Sequence, residues 1–379
     1  MKTINIIVGI TFVIIIGVVA GYFWVLPGRI KTADLSQSIP GQIKPSVNVV
    51  PAKSNTAITE TDAPAGDYQY ARSQKTGEQV SLLAFGDLLL DRYIKISIDK
   101  YGTDYPFKNI KSYLAGNDLT LVNLEGAFTD FKSKKAGPNM TSFTFDPKLI
   151  PGIKSLGFNI MSEANNHSQD FGRAGLAQSQ AYLAKNGIDY FGTFANDGKI
   201  STIEDINGIK IGFVGYDELS NTGFDAVIAE IKNLKPQVDH VVVMAHWGIE
   251  LKTINSADQQ KKGRQFIDAG ADLVLGGHPH VVQPLEVYRG RLIFYSLGNF
   301  VFDQIFSPAV QRGLAVGLIF AKDSITCYLM PTQNKNFVVN FAAADAKTAI
   351  LKNLAAQSAA GDDFKAQIAQ GTVIIKTTD

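Results

Sequence analysis

The chain has 379 residues, enough for one large or two modest domains with a buried core. Lysine plus arginine (36) almost cancels aspartate plus glutamate (35), so a net charge of +1 supplies no broad field for nucleic acid, and binding must come from a local site. The single cysteine, Cys327, excludes an intramolecular disulfide and any thiolate cluster, which restricts a metal site to imidazole, carboxylate and amide ligands.

From Ile6 to Leu26 the residues are nearly all apolar, and about 20 such residues in a helix cross a bilayer core. The expectation is a retained transmembrane anchor over residues 1–29, making the cytoplasmic membrane a partner. A cleaved signal peptide ending near Val18-Val19-Ala20 is the alternative, but signal cores run only ~7–15 residues and this run continues through Tyr22-Phe23-Trp24. Lys2 and the amino terminus are about balanced by Arg29 and Lys31, so charge does not orient the segment. A lone leading span before a large domain acts as a signal anchor, which places the domain outside the cytoplasm.

Residues 30–79 are rich in Ser, Thr, Ala, Pro, Gln and Lys, lack periodicity and read as a flexible linker. A domain over residues 80–335 should follow. Its first strand is Val80 to Asp87, an apolar run that stops at a glycine and an acid. The same grammar recurs at Leu119 to Glu125, Phe158 to Glu163, Val241 to His246 and Leu273 to His278. Helical patterns fall between them at Asp146 to Leu156, Phe171 to Asn186, Phe224 to Leu234 and Ser256 to Ala269, with Gly157, Gly187 and Gly270 as stops. Hairpin-like stretches lie at Pro284 to Tyr288 and Arg291 to Ser296, and β-rich segments at Gly313 to Phe320 and Ser324 to Met330. A strand and helix extension over 336–379 includes a helix at Asp345 to Ala359. This alternation implies a layered α/β fold with two sheets, the second partly antiparallel.

Four of the five histidines fall in three short segments: Asn165-Asn166-His167, His246-Trp247-Gly248 and Gly277-His278-Pro279-His280. So scarce a residue, placed repeatedly where apolar runs meet glycine, points to imidazoles gathered at one metal centre. With the acids and amides at strand ends, the candidate set is Asp87, Glu125, Asn166, His167, His246, His278 and His280. In extended backbone the i, i+2 spacing of His278 and His280 would put both rings on one side. Asp170 reads as an acid orienting His167 or a loop amide, and His167 with Asp170 as the catalytic pair. Trp247 reads as a lid over the core or a wall of a substrate cleft. Asn165, Glu250 and Asn299 read as substrate contacts or as loop and turn residues, and His240 as structural. Arg289, Arg291 and Arg312 would meet an anionic polymer or simply lie on the surface.

Gly86-Asp87, Asn123-Leu124-Glu125, Ala164-Asn165-Asn166-His167 with Asp170 and Gly172, His246-Trp247-Gly248-Ile249-Glu250, Gly277-His278-Pro279-His280-Val281 and Ser296-Leu297-Gly298-Asn299-Phe300, in this order, resemble the calcineurin-like metallophosphoesterases. More closely they resemble the family of the poly-gamma-glutamate capsule synthesis protein CapA, over about Val80 to Met330. The resemblance implies a two-sheet αββα sandwich and a divalent cofactor, one or two ions of Mn, Zn, Fe or Mg. It implies Asp87 and His280 on one ion, Asn166, His246 and His278 on the other, Glu125 bridging, and His167 as general acid or oxyanion contact. Leu89 stands where phosphoesterases have a histidine, which leaves one ion short of a ligand. The implied role is synthesis or export of a poly-gamma-glutamate capsule or related envelope polymer, with that anionic polymer and other capsule-synthesis membrane proteins as partners. A general metal-dependent phosphodiesterase or phosphatase, and a non-catalytic polymer-binding scaffold, are the alternatives.

Overall fold

Every residue of Val80–Leu88 is buried. Successive side chains of a strand point to opposite faces, so Leu83 and Phe85 enter one apolar core while Leu82 and Ala84 enter another. A strand buried on both faces reads as a continuous apolar run, which is how the sequence presents it. The computed structural model describes residues 66–132, 141–193, 198–220 and 223–377. The apolar segment Ile6 to Leu26 lies outside the described residues. Among the described residues no helix is long and apolar enough to cross a membrane.

In chain order the first elements are α1 (Gly66–Ser73), β1 (Val80–Leu88), α2 (Arg92–Tyr101), α3 (Lys111–Leu114), β2 (Leu119–Leu124), β3 (Ala127–Phe128) and β4 (Thr144–Phe145). Then come α4 (Ile150–Ser155), β5 (Ile160–Ser162), α5 (Gly172–Lys185), β6 (Asp189–Phe191), β7 (Ser201–Ile206), β8 (Ile209–Asp217), α6 (Phe224–Leu234), β9 (His240–His246) and α7 (Ala257–Ala269). The last are β10 (Leu273–Gly277), β11 (Leu285–Tyr288), β12 (Arg291–Phe294), β13 (Asn299–Val301), β14 (Arg312–Ala321), β15 (Ser324–Lys335), β16 (Val338–Phe341), α8 (Ala344–Gln357), α9 (Asp362–Gln370) and β17 (Thr372–Lys376).

One mixed sheet runs β16-β15-β14-β1-β2-β5-β6, with β13 also on β1 and β17 also on β15; the other runs β11-β12-β10-β9-β8-β7. Between them lies a core built from Leu82, Ala84, Leu121 and Ile160 on one side and Phe213, Val242, Met244 and Leu275 on the other. Ile94, Ile98, Ile150, Ile153 and Leu183 of the helices cover the outer face of the first sheet. Val227, Ile231 and Leu234 of α6 and Phe266 and Ile267 of α7 cover the second, against Val241, Val243 and Val274. The layer order is helices, sheet, sheet, helices, as the resemblance implied.

Two boundaries move. The chain is already helical at Gly66–Ser73, inside the stretch read as linker. The cause is Tyr68, which is buried in the outer core and donates from its hydroxyl to Asn117 Oδ1 at 2.6 Å. At the other end, residues past 335 are no appendage. β17 pairs antiparallel with β15 from Ser324↔Lys376 to Tyr328↔Thr372, and Leu351, Leu354 and Ile368 of the two last helices complete the inter-sheet core. Short amphipathic segments at a chain end carry too little periodicity to reveal such packing.

Candidate metal centre

The parallel strands β1, β2, β5, β9 and β10 all end at one edge of the sandwich, so residues far apart in sequence meet there. Register does the alignment: Asp87 lies opposite Asn123 and Asn299, and Gly277 opposite His246. Two glycines allow the approach. A Cβ on Gly86 would stand 1.9 Å from Gly298 O, and one on Gly277 would stand 2.5 Å from Asp87 Oδ1. Only backbone without a side chain fits at either place.

Asp87 is fully buried and accepts from Asn123 Nδ2 at 2.8 Å and from the His278 backbone N–H at 3.2 Å. His280 Nδ1 lies 3.3 Å from its Oδ2, and His246 Nδ1 lies 4.0 Å from its Oδ1. His280 Nε2 comes within 3.7 Å of Glu125 Oε1, and His167 Nε2 within 4.0 Å. His246 Nε2 is 2.9 Å from Asn166 Oδ1. Asp87, Glu125 and His246 each offer a ligand atom within 4.8 Å of the others. All seven candidate ligands therefore converge, with His278 centred 4.8 Å from the His246 ring.

The route to convergence differs from the expected one. His278 and His280 have positive φ, 89° and 59°, rather than extended backbone. Their rings still sit 6.1 Å apart. The turn, not strand alternation, brings them together, and the strain of non-glycine residues in this region is of the kind held at functional sites.

Electrostatics leave two of the imidazoles neutral. Burial, with the charge of His278, holds His246 well below the usual imidazole range, and burial lowers His278 to about 4, so both keep lone pairs for a metal at neutral pH. Burial pushes Glu125 up to about 7. Burial also opposes a charge on Asp87, but the hydrogen bond and charge of His280 outweigh it and hold the carboxyl below its ordinary value. On His280 itself burial is overcome by the charge of Glu125 and by Asp87, which raise it to about 9. Glu125 Oε2 and His278 Nδ1 are buried with no hydrogen-bond partner. Orphaned buried acceptors are rare and call for an explanation; two of them, on carboxylate and imidazole in one cluster, fit a divalent cation.

The remaining candidates fall into support and surface. Asp170 Oδ2 lies 2.9 Å from His167 Nδ1 and also accepts the Phe143 N–H at 2.7 Å, so it orients His167. Asn165 is buried and donates to Asn123 Oδ1 and Leu124 O, a brace between loops with no face left for a substrate. Asn299 is buried too, its Oδ1 2.9 Å from His280 Nδ1 and its amide nitrogen donating to Gln304 Oε1 and Val310 O. Trp247 has 0% exposure, packs with Phe266 and Tyr295 in the core behind the second sheet, and donates from Nε1 to Tyr295 O at 2.8 Å. It walls no cleft, because the strand places it one residue past His246 on the opposite face. Glu250 is exposed on the next loop. Leu89 lies at 0% exposure in the outer core and offers no ligand. His240 is structural, its Nε2 2.6 Å from Ala321 O.

Three residues of the site escaped the reading of roles. Asn123, quoted only as part of a motif, sits at the centre: it donates to Asp87, contacts His246 Nδ1 at 3.2 Å and accepts from Asn165. Phe143 packs against His167 with ring centres 4.1 Å apart, and Phe302 packs on His280 at 4.7 Å. Isolated aromatics in loops have no periodicity to mark them.

Comparison with known proteins agrees with the ordered residues. Over 236 residues, 58% of this chain and 62% of the relative, it is 32% identical to the PGA biosynthesis protein CapA of Bacillus subtilis (strain 168). Over 252 residues, 61% of each, it is 30% identical to the capsule biosynthesis protein CapA of Bacillus anthracis. The match thus spans about three fifths of the length of these relatives. Among solved structures, a putative 5'-nucleotidase from Staphylococcus aureus is similar at 10% identity and TM-score 0.38, covering 70% of this chain and 53% of that one, a likeness too remote to bear on chemistry. The bacterial capsule synthesis protein family model PGA_cap matches residues 81–304, the span that carries every candidate ligand, and the chain belongs to that family.

Proposed function

We propose that this protein is a membrane-anchored, extracytoplasmic CapA-like component in the synthesis or export of a poly-gamma-glutamate capsule or related envelope polymer, acting through a divalent metal centre of metallophosphoesterase type. The observation that carries the metal reading is the buried Asp87, Glu125, His246 cluster with two unpartnered ligand atoms beside it, Glu125 Oε2 and His278 Nδ1. Family membership supports the polymer, and the apolar run Ile6 to Leu26 supports the anchor.

Asp87, Glu125, Asn166, His246, His278 and His280 would hold one or two ions. When bound, a divalent cation supplies Lewis acidity and charge for hydrolysis of a phosphoryl or similar ester. The chain's own residues then supply the rest. His167, with Nδ1 held by Asp170 and Nε2 turned towards Glu125, is placed to move a proton at the edge of the cluster. Neutral His246 and His278 present lone pairs, and Phe143 and Phe302 exclude water from the backs of His167 and His280.

The test is elemental analysis of the purified full chain, with capsule production in a strain lacking the gene. Wild type should carry divalent metal and restore polymer; His246→Ala should lose most of both. Metal-free wild type that gains no activity with added Mn²⁺ or Zn²⁺ yet restores polymer would make the domain a binding scaffold, the reading favoured by the burial of Leu89 where a ligand histidine is expected.

A further inference from the structure

A cavity of about 390 Å³ has Val281 and Val282, the residues after His280, in its wall, and none of the candidate metal ligands lines it. That volume falls in the range of small-molecule sites, about 300–1,000 Å³. Leu314, Ile350 and Leu354 make the wall largely aliphatic. Among its lining residues Arg312 alone is charged, and none is acidic. Arg289 pairs with Asp268 and Arg291 with Asp272, whereas among the described residues the exposed guanidinium of Arg312 makes no ion pair. Ile254 lines the same cavity while 59% exposed, and Ile305 and Phe306, both exposed, stand on the segment that leads into Ala309 and Arg312.

An apolar cavity with one unpaired cation at its edge selects an apolar molecule with an anionic end. A guanidinium offers two parallel N–H groups that match a carboxylate. One positive charge balances one negative charge, while a phosphate monoester brings about −1.5 to −2 at pH 7 and would leave charge uncompensated. Asn353 and Gln357 of α8 add amide groups to the lining; Gln357 Nε2 donates to Asn353 Oδ1 at 3.1 Å, and among the described residues the Asn353 amide nitrogen donates to none. We infer that this cavity is a second ligand site, separate from the metal centre, for an aliphatic monocarboxylate whose head group meets Arg312 and whose chain lies along Leu314, Ile350 and Leu354. Neither the metal nor the capsule polymer takes part in this site.

Equilibrium dialysis of labelled octanoate tests it, with the purified full chain held in digitonin so that no alkyl detergent competes. Octanoate should fill one saturable site. Arg312→Gln should weaken it about 10-fold or more, the loss of one charge-assisted pair, and Arg312→Lys should recover part of that. Ile350→Trp, which fills the cavity, should abolish binding, and His246→Ala should leave it unchanged. Octylammonium should fail to displace octanoate, and acetate should bind far more weakly. Equal competition by octylammonium, unchanged affinity in Arg312→Gln, or no saturable site below about 10 mM octanoate would overturn the assignment.

Discussion

Asn299 Oδ1 lies 2.9 Å from His280 Nδ1, and that contact turns the opposite nitrogen, Nε2, to within 3.7 Å of Glu125. A ligand histidine whose other nitrogen is tied down has a fixed tautomer and orientation. Asn299→Ala should therefore weaken divalent metal binding by about 10- to 100-fold without unfolding the protein. Competition with a fluorescent chelator measures the affinity, and circular dichroism checks the fold; unchanged affinity would remove Asn299 from the site.

Metal affinity should rise with pH. His280 is held at about 9 and Glu125 at about 7 by their surroundings, so at pH 6 both carry protons that a cation must displace. Affinity should increase steeply from pH 6 to 7 while two protons compete, then by about ten-fold per unit towards pH 9, where His280 alone competes. Calorimetry in buffers of different ionisation enthalpy counts the protons released, and release of none at pH 7 would contradict the coupling.

Gly277→Ala should destabilise the fold by about 1–3 kcal/mol, because its Cβ would stand 2.5 Å from the buried Asp87 carboxylate. Urea unfolding of the metal-free protein reads this directly. Gly290→Ala is a useful contrast, since a Cβ there meets nothing within 4 Å and the cost comes only from φ of +71°.

Trp247→Ala should cost about 3–5 kcal/mol of stability, as for a large aromatic removed from a sealed core. Trp247→Phe should keep much of the packing, lose the hydrogen bond to Tyr295 O, and leave metal binding intact. A loss of ligand affinity in Trp247→Phe with full stability would return this residue to a substrate cleft.

Glu163 is buried, accepts from Ser179 and Gln180, and is pushed by burial up to about 7. Its folded value exceeds the unfolded one, so the stability it contributes is complete below about 4.5 and is lost as pH rises through about 7. Glu163→Gln, which never ionises, should match wild type near pH 4.5 and exceed it by roughly 2–3 kcal/mol at pH 8. Thermal unfolding across that range decides it, and a variant less stable than wild type at pH 8 would reverse the sign.

Most strand and helix positions were legible in the chain because burial is local in pattern. Val80–Leu88 and His240–His246 are buried on both faces and mostly apolar, and Phe224–Leu234 and Ala257–Ala269 match the helical spacing closely. Local pattern failed where packing is supplied from elsewhere. Tyr68 folds α1 only because Asn117 and the outer core receive it, and Thr372–Lys376 becomes a strand only beside β15.

The amino-acid order alone pointed to which histidines, acids and amides belong together, since each ends an apolar run or lies just past one and strand ends share an edge. It could not say which of them face the same point. Tertiary structure decided that Asn165 and Asn299 brace the cluster, that Trp247 belongs to the core behind the second sheet, that Asn123 is the hub, and that Leu89 points into the outer core. The reason is physical: a side chain's direction follows from strand register and loop dihedrals, and the positive φ of His278 and His280, with the His278 N–H on Asp87, belongs to a turn that apolar patterning does not encode.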